Sequence, residues 1–160
     1  KATSEALTVA IRAPEARHHH IFIVRSKPMD TGMAKVDAAA MGKGIARTGH
    51  MALYGSQFEC GKSARKAESA PVLAEVAALL KQSPALKLHV VGHTDNVGSL
   101  DANMTLSKAR AASVVEALVK QHGIASNRLM PHGVSSIAPV STNRSETGRA
   151  ENRRVELVEM

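Results

Sequence analysis

An alternation of apolar and polar residues leads into a polar loop and then into a helical pattern, and this order limits the folds that the chain can adopt. Leu86, Leu88 and Val90 lie on one side of a strand, because side chains alternate along an extended chain. The polar stretch GHTDNVG comes next. A helix that begins within 103–107 follows, with apolar residues at helical spacing. This order predicts a sheet with a helix packed against it.

Further strand and helix patterns alternate on both sides of this unit. Ser69 and Pro71 are typical of a helix start, and Ser83 with Pro84 indicates where that helix ends. Gly123 is placed to terminate the second helix. The strand patterns lie at 50–58, 86–92, 128–134 and 152–160. This order predicts an α/β fold of the α+β kind, a two-layer sandwich.

The end of the chain predicts which side chains face the core. Val155 and Leu157 alternate with Arg154 and Glu156, so we expect the apolar pair to face the core. Arg154 is predicted to face solvent. The stretch at 135–148 is predicted to be a long polar loop.

The first 48 residues are predicted to be a separate segment in front of a domain that spans 49–160. Two β-like stretches fall within 7–27, and 35–47 has an Ala-rich helical pattern that two glycines weaken. None of these stretches carries a functional motif. The segment is interpreted as the tail of an upstream module or as an arm packed on the domain.

The composition narrows the classes of ligand. Aromatic residues make up 2% of the chain, too few for the base stacking by which proteins hold single-stranded nucleic acid. The net charge of +7 favours polyanions in general, and a solvated basic surface kept for solubility is the alternative explanation. Cys60 is the single cysteine, which excludes an intrachain disulfide and a zinc site built on several cysteines. No apolar run is long enough for a transmembrane helix.

Two opposite charges, Asp95 and Arg110, mark the polar loop and the helix that follows it. A loop needed only to turn the chain requires neither. Together they suit a ligand with an ammonium and a carboxylate on one carbon, because each group would gain a charge-assisted partner. A structural salt bridge between loop and helix is the alternative interpretation. A phosphate site is disfavoured, since Asp95 would repel phosphate and the loop matches no phosphate-binding motif.

Three motifs in order resemble those of a known family. They read T-D-x-x-G at 94–98, N-x-x-L-S-x-x-R-A at 103–111 and N-R-R-V-E at 152–156. With these motifs, the chain from about Met51 to Met160 resembles the OmpA-like peptidoglycan-binding domain, which also occurs in the peptidoglycan-associated lipoprotein and in flagellar stator proteins. The resemblance implies a β-α-β-α-β-β fold with a mixed sheet.

The resemblance also implies a binding site for the free amino-acid end of meso-diaminopimelate, in the peptide stem of peptidoglycan. Asp95 and Arg110 match the family's aspartate and arginine that clasp this ligand. The implied neighbours add hydrogen bonds, wall the pocket or supply charge near the site: Thr94, Asn103, Leu106, Phe58, Glu59 and Arg153. Two departures bear on affinity. The chain reads FECGK where relatives read F-D-T-G-K, and its GVSS lacks a second glycine.

These implications describe a non-catalytic module of the periplasm that anchors the envelope to the cell wall. Association with the outer membrane would come through an upstream part. The interpretation includes no cofactor, no catalytic residue, no metal and no nucleic acid. The sequence indicates no oligomeric state.

Two alternative functions stay open on the sequence. A zinc-dependent peptidoglycan hydrolase would use His89, His93 and Asp95, which have the same parity along a strand. A nucleic-acid-binding module would use the net charge and the basic run at 149–154. The histidine run at 18–20 makes a poor chelate, because adjacent strand residues point to opposite faces.

Overall fold

The structure is a computed structural model that describes residues 7–12, 20–25, 37–54 and 70–160. Its contacts divide the chain into two compact units, residues 1–35 and 36–160. In the first unit, β1 (Leu7–Arg12) and β2 (His20–Arg25) pair as antiparallel strands. The two β-like stretches predicted at the front of the chain are therefore confirmed.

The second unit alternates helices and strands around one sheet. Its α-helices and β-strands are α1 (Ala38–Thr48), β3 (His50–Leu53), α2 (Ala70–Gln82), β4 (Leu88–Gly92), α3 (Leu100–His122), β5 (Leu129–Gly133), α4 (Glu146–Asn152) and β6 (Val155–Glu159). The strand order is β3-β6-β4-β5, with β4 and β5 parallel and the other neighbours antiparallel. This mixed sheet with packed helices confirms the predicted two-layer α/β sandwich.

The core lies between one face of the sheet and the helices. Val90 of β4 is paired with Leu157 of β6, and both are fully buried. Apolar residues of α2 and α3 at helical spacing join them in one cluster, among them Val76, Leu80 and Val114. Within the described ranges, no helix is both long and apolar enough to cross a membrane.

Helix α1 belongs to this core. Met41 and Ile45 are buried in the same cluster as the residues of α2. The Ala38 N–H also donates to the Glu75 carboxylate of α2 at 2.9 Å. The division in the structure therefore falls between Lys35 and Val36, whereas the sequence placed the boundary after residue 48. An Ala-rich helix with few large apolar residues gives a weak periodic signal, which explains the difference.

Helix α3 begins earlier than predicted. Its first residue is Leu100, and the Ser99 hydroxyl accepts a hydrogen bond from the Ala102 N–H at 3.2 Å. Serine in this position caps the first turn of a helix. The predicted helix end at Gly123 is confirmed by a left-handed backbone, with φ of 69°.

Helix α4 overlaps the end of the predicted polar loop at 146–148 and the first residue of the predicted strand at 152, so β6 begins later than predicted, at Val155. Ser145 caps it by accepting from the Gly148 N–H at 3.1 Å. The side chain of Asn152 at its other end is fully buried. Because α4 is short and has almost no apolar residues, hydrophobic periodicity cannot reveal it. It positions the segment that enters β6.

Candidate functional site

The polar loop at 93–99 is fixed at its base by two other segments. The His93 N–H donates to the carbonyl of Arg154 at 3.0 Å, just before β6. The Thr94 N–H donates to the carbonyl of Ser135 at 3.0 Å, just after β5. These bonds define the place at which the loop leaves the sheet.

Two glycines allow α3 to approach the sheet closely beside this loop. Gly92 and Gly133 are paired on β4 and β5. A Cβ atom on either would collide with the backbone of α3 at Ser107 or Lys108. The Ser107 hydroxyl also accepts a hydrogen bond from the Ser135 N–H at 3.0 Å. The first half of α3 is therefore held against the loop.

One face of α3 changes from polar to apolar along the helix. Asn103, Ser107 and Arg110 are buried at the spacing of one helical face. Val114 and Leu118 continue this face into the core. The polar half of this face therefore packs near the loop, and the apolar half packs in the core.

Asn103 orders the tip of the loop. Its Nδ2 donates to the Val97 carbonyl at 3.0 Å. Gly98 follows Val97 with φ of 93°, a backbone conformation that residues with side chains rarely adopt. A direct contact of Asn103 with a ligand stays a prediction.

Arg110 reaches the base of the loop from α3. Its Nη1 donates to the His93 carbonyl at 2.8 Å, and the residue is 7% exposed. The guanidinium therefore lies against the backbone two residues before Asp95. Leu106, one turn earlier on α3, is half-buried.

Asp95 is 8% exposed, and both of its carboxylate oxygens have partners. Oδ1 accepts from the Val97 N–H at 3.1 Å, and Oδ2 accepts from Arg153 Nη1 at 2.6 Å. Arg153 comes directly after α4, and its side chain is 34% exposed. Asp95 is thus bound by the cationic side chain of Arg153.

Arg153 bridges two carboxylates. Its Nη2 donates to Glu146 Oε1 at 2.7 Å, and Glu146 also accepts from Arg149 Nη2 at 2.7 Å. The guanidinium groups of Arg153 and then Arg149 lower the pKa of Glu146. Hydrogen bonds to Asp95 and then Glu146 raise the pKa of Arg153. The four side chains form one row of alternating charge.

The buried position of the Arg154 side chain was not predicted from the sequence. Arg154 is 3% exposed, so the prediction that it faces solvent is wrong. Its Nε donates to Glu156 Oε1 at 2.8 Å, and its Nη2 donates to the Ala138 carbonyl at 3.2 Å. This contact shows that the segment after β5 packs over Arg154. The alternation of side chains along a strand gives no information about packing by a segment that is distant in sequence.

His93 is also buried, with Nε2 3.7 Å from Glu156 Oε2. Burial lowers the pKa of His93 to about 4, and the positive charge of Arg154 adds to this effect. Glu156 opposes the shift. The imidazole is therefore neutral at pH 7.

The three residues of the possible zinc site have separate partners. His89 Nδ1 lies 2.9 Å from His132 Nε2 on β5, His93 faces Glu156, and Asp95 binds Arg153. Among the residues that the structure describes, no three His, Cys, Asp or Glu side chains are grouped to hold a metal ion. The geometry does not favour the zinc hydrolase.

Of the remaining predicted site residues, the structure describes Thr94 but not those at 58–60. Thr94 is buried beside Asp95, and its hydroxyl has no hydrogen-bond partner in the described part of the chain. Phe58, Glu59 and Cys60 lie outside the described residues.

Comparison with known proteins assigns the class. A model of the OmpA family matches residues 57–153. This match spans more than half of the chain, includes the loop and α3, and ends at Arg153. The chain therefore belongs to the OmpA family.

Three relatives show how far the similarity extends. The peptidoglycan-associated lipoprotein from Burkholderia pseudomallei is 26% identical with a TM-score of 0.60, over 68% of this chain and 89% of that chain. The cell wall anchor of the T6SS from Pseudomonas aeruginosa is 30% identical with a TM-score of 0.60, over 77% and 95%. The probable lipoprotein YiaD of Escherichia coli (strain K12) is 38% identical over 62% of this chain and 45% of its own length. This chain thus spans less than half of that curated relative.

Proposed function

We propose that this chain binds peptidoglycan without catalysis, anchors the cell envelope to the wall, and recognises the free amino-acid end of meso-diaminopimelate in the stem peptide. The observation that carries the proposal is the placement of two nearly buried opposite charges, Asp95 and Arg110, at the base of one loop. Burying charged groups is costly unless they are paired or hydrogen-bonded. Both charges are held beside the loop by polar partners, Asp95 by Val97 and Arg153 and Arg110 by the His93 carbonyl.

In this proposal, Asp95 attracts the ligand ammonium. A carboxylate has about four lone-pair sites. The Asp95 carboxylate already accepts a hydrogen bond from a cationic group, that of Arg153, at 2.6 Å. This contact supports Asp95 as the acceptor of positive charge in the site.

Arg110 holds the ligand carboxylate in the same proposal. Its bond to the His93 carbonyl orients the guanidinium toward the loop. The planar fork of a guanidinium matches the two oxygens of a carboxylate. Thr94, Asn103, Leu106, Phe58, Glu59 and Arg153 are proposed as the surrounding residues.

The relatives support the cell-wall assignment through their own descriptions. One is a peptidoglycan-associated lipoprotein, and another is a cell wall anchor. We also propose that the chain acts in the periplasm in association with the outer membrane. The family membership favours a binding module over an enzyme.

The internal pairing of the basic run at 149–154 counts against nucleic acid as the partner. Arg149 and Arg153 both contact Glu146, and Arg154 is buried. Phosphate binding depends on Lys and Arg side chains that release counterions from the nucleic acid. These three arginines are engaged within the protein.

Sedimentation with isolated sacculi of the diaminopimelate type tests this function. We expect the purified protein to sediment with the sacculi and to release no soluble muropeptides, because the proposed binding breaks no bond. Free meso-diaminopimelate should compete, and glycan chains stripped of peptide should not. Release of fragments, or competition by the bare glycan, would contradict the proposal.

A further inference from the structure

The state of the Asp95 carboxylate bears directly on the affinity of the site. Its Oδ2 is bound to the Arg153 guanidinium at 2.6 Å, and its Oδ1 to the Val97 N–H at 3.1 Å. The residue is nearly buried. A cation that arrives from solution therefore meets a carboxylate whose charge is already neutralised.

The arginine is held from a second side by Glu146. Arg153 Nη2 donates to Glu146 Oε1 at 2.7 Å. Glu146 lies in the first turn of α4, and the fully buried Asn152 anchors the other end of that helix through the backbone N–H groups of Val140 and Ser141. This anchoring keeps Glu146 within reach of Arg153.

We propose that Arg153 is an internal competitor for Asp95 and that Glu146 sets how strongly it competes. This inference rests on the proposed function and adds the two residues that tune its affinity. Two positive groups at one carboxylate repel each other, so each weakens the binding of the other. When the ligand ammonium reaches Asp95, Arg153 turns to Glu146, which it already contacts. Binding is then an exchange of one cation for another.

The exchange predicts opposite effects for two substitutions. Arg153→Gln removes the competing charge and should tighten the binding of free meso-diaminopimelate about two- to fivefold. Glu146→Gln leaves Arg153 with Asp95 as its remaining carboxylate and should weaken binding about twofold. The double variant should bind like Arg153→Gln alone, because Glu146 acts through Arg153.

The sign of the first effect separates this role from two others. If Arg153 held the ligand carboxylate directly, Arg153→Gln would weaken binding. If Arg153 had a purely structural role, its loss would lower the melting temperature without tightening binding. The exchange predicts tighter binding together with a lower melting temperature, since Asp95 loses its partner.

Calorimetric titration of the full chain with free meso-diaminopimelate, at one fixed salt concentration, tests the inference. Arg144→Gln is the matched control, because it removes one positive charge from an exposed position near α4; its affinity should equal that of the wild type. Wild-type binding combined with equal or weaker binding by Arg153→Gln would overturn the inference and leave the proposed function standing. An equal gain from Arg144→Gln would also overturn it. Binding by neither the wild type nor Arg153→Gln would overturn both.

Discussion

His93 lies at the base of the 93–99 loop, near Arg154 and with Glu156 at 3.7 Å. Its pKa is lowered to about 4, chiefly by burial, from an ordinary value of 6.5. Below pH 6.5 the unfolded chain binds a proton that the folded protein takes up only near pH 4. The free energy of unfolding therefore decreases as the pH falls through this window.

Replacing His93 should remove this part of the acid sensitivity. Between pH 7 and pH 4.5, we expect the free energy of unfolding to fall by about 2 kcal/mol more in the wild type than in His93→Gln. Urea unfolding at the two pH values measures this difference. His50→Gln, at an exposed histidine, should behave like the wild type. An unchanged pH dependence in His93→Gln would contradict the assignment.

The burial of Arg154 could not be predicted from the sequence. Asp95 and Arg110 stand out as opposite charges in a loop and in the helix that follows it, and they also lie in motifs that resemble a family. Arg154 also lies in such a motif, but its alternation with the apolar residues of β6 predicts that it faces solvent. Its bond to the Ala138 carbonyl places it under a segment distant in sequence. A local pattern carries no information about such a cover.

At the level of elements, the site depends on how closely α3 approaches the sheet. Gly92 and Gly133 face the α3 backbone without room for a Cβ atom. Arg110 donates to the loop from the same helix. A shift of α3 away from the sheet would therefore move Arg110 relative to Asp95.

Gly92→Ala and Gly133→Ala should each destabilise the protein by about 1–3 kcal/mol, because overpacking forces the backbone to shift. Both should also weaken binding to sacculi. Gly44→Ala is the control: a Cβ there meets Met51 Sδ at 3.9 Å, and alanine inside a helix should stabilise by about 0.5–1 kcal/mol. Urea unfolding measures all three. Wild-type stability in Gly92→Ala would contradict the close approach.

Periodicity predicts the elements that bury apolar faces and misses those that do not. The alternation of Leu88 and Val90 located β4, and the apolar spacing around Val114 located α3. The start of α3 and the whole of α4 depend on serine caps, at Ser99 and Ser145. Serine is also common in loops, so these caps are weak signals in sequence alone.

For the molecule as a whole, the open question is where the binding domain begins. The contacts place α1 with the sheet, and the family match begins at residue 57. The sequence placed the boundary after residue 48. Met41 and Ile45 are buried against residues of the larger unit, so α1 contributes to its stability.

A comparison of two shortened chains tests this boundary. Residues 36–160 retain Met41 and Ile45, and residues 49–160 lack both. Burial of one such side chain contributes roughly 1.5–3 kcal/mol. We therefore expect chain 49–160 to unfold at a clearly lower urea concentration than chain 36–160. Equal urea midpoints would favour the boundary predicted from sequence.

In the proposed function, Asp95 and Arg110 together hold a zwitterionic ligand. Hydrogen bonds to charged groups contribute about 1.5–3 kcal/mol, so Asp95→Asn and Arg110→Ala should each weaken binding about ten- to a hundredfold. The double variant should lose less than the sum, because a half-held ligand has already lost its orientation.

Both residues are nearly buried, so their replacement should also lower the melting temperature. The binding measurement therefore needs a control variant that is destabilised but keeps both residues. Val114→Ala supplies it, since Val114 is buried in α3 among core residues. The most direct measurement is sacculus binding by the wild type, both single variants, the double variant and Val114→Ala, at a temperature where all are folded. We expect loss of binding in the single and double variants and retention of binding in Val114→Ala. Wild-type binding by both single variants would contradict this expectation.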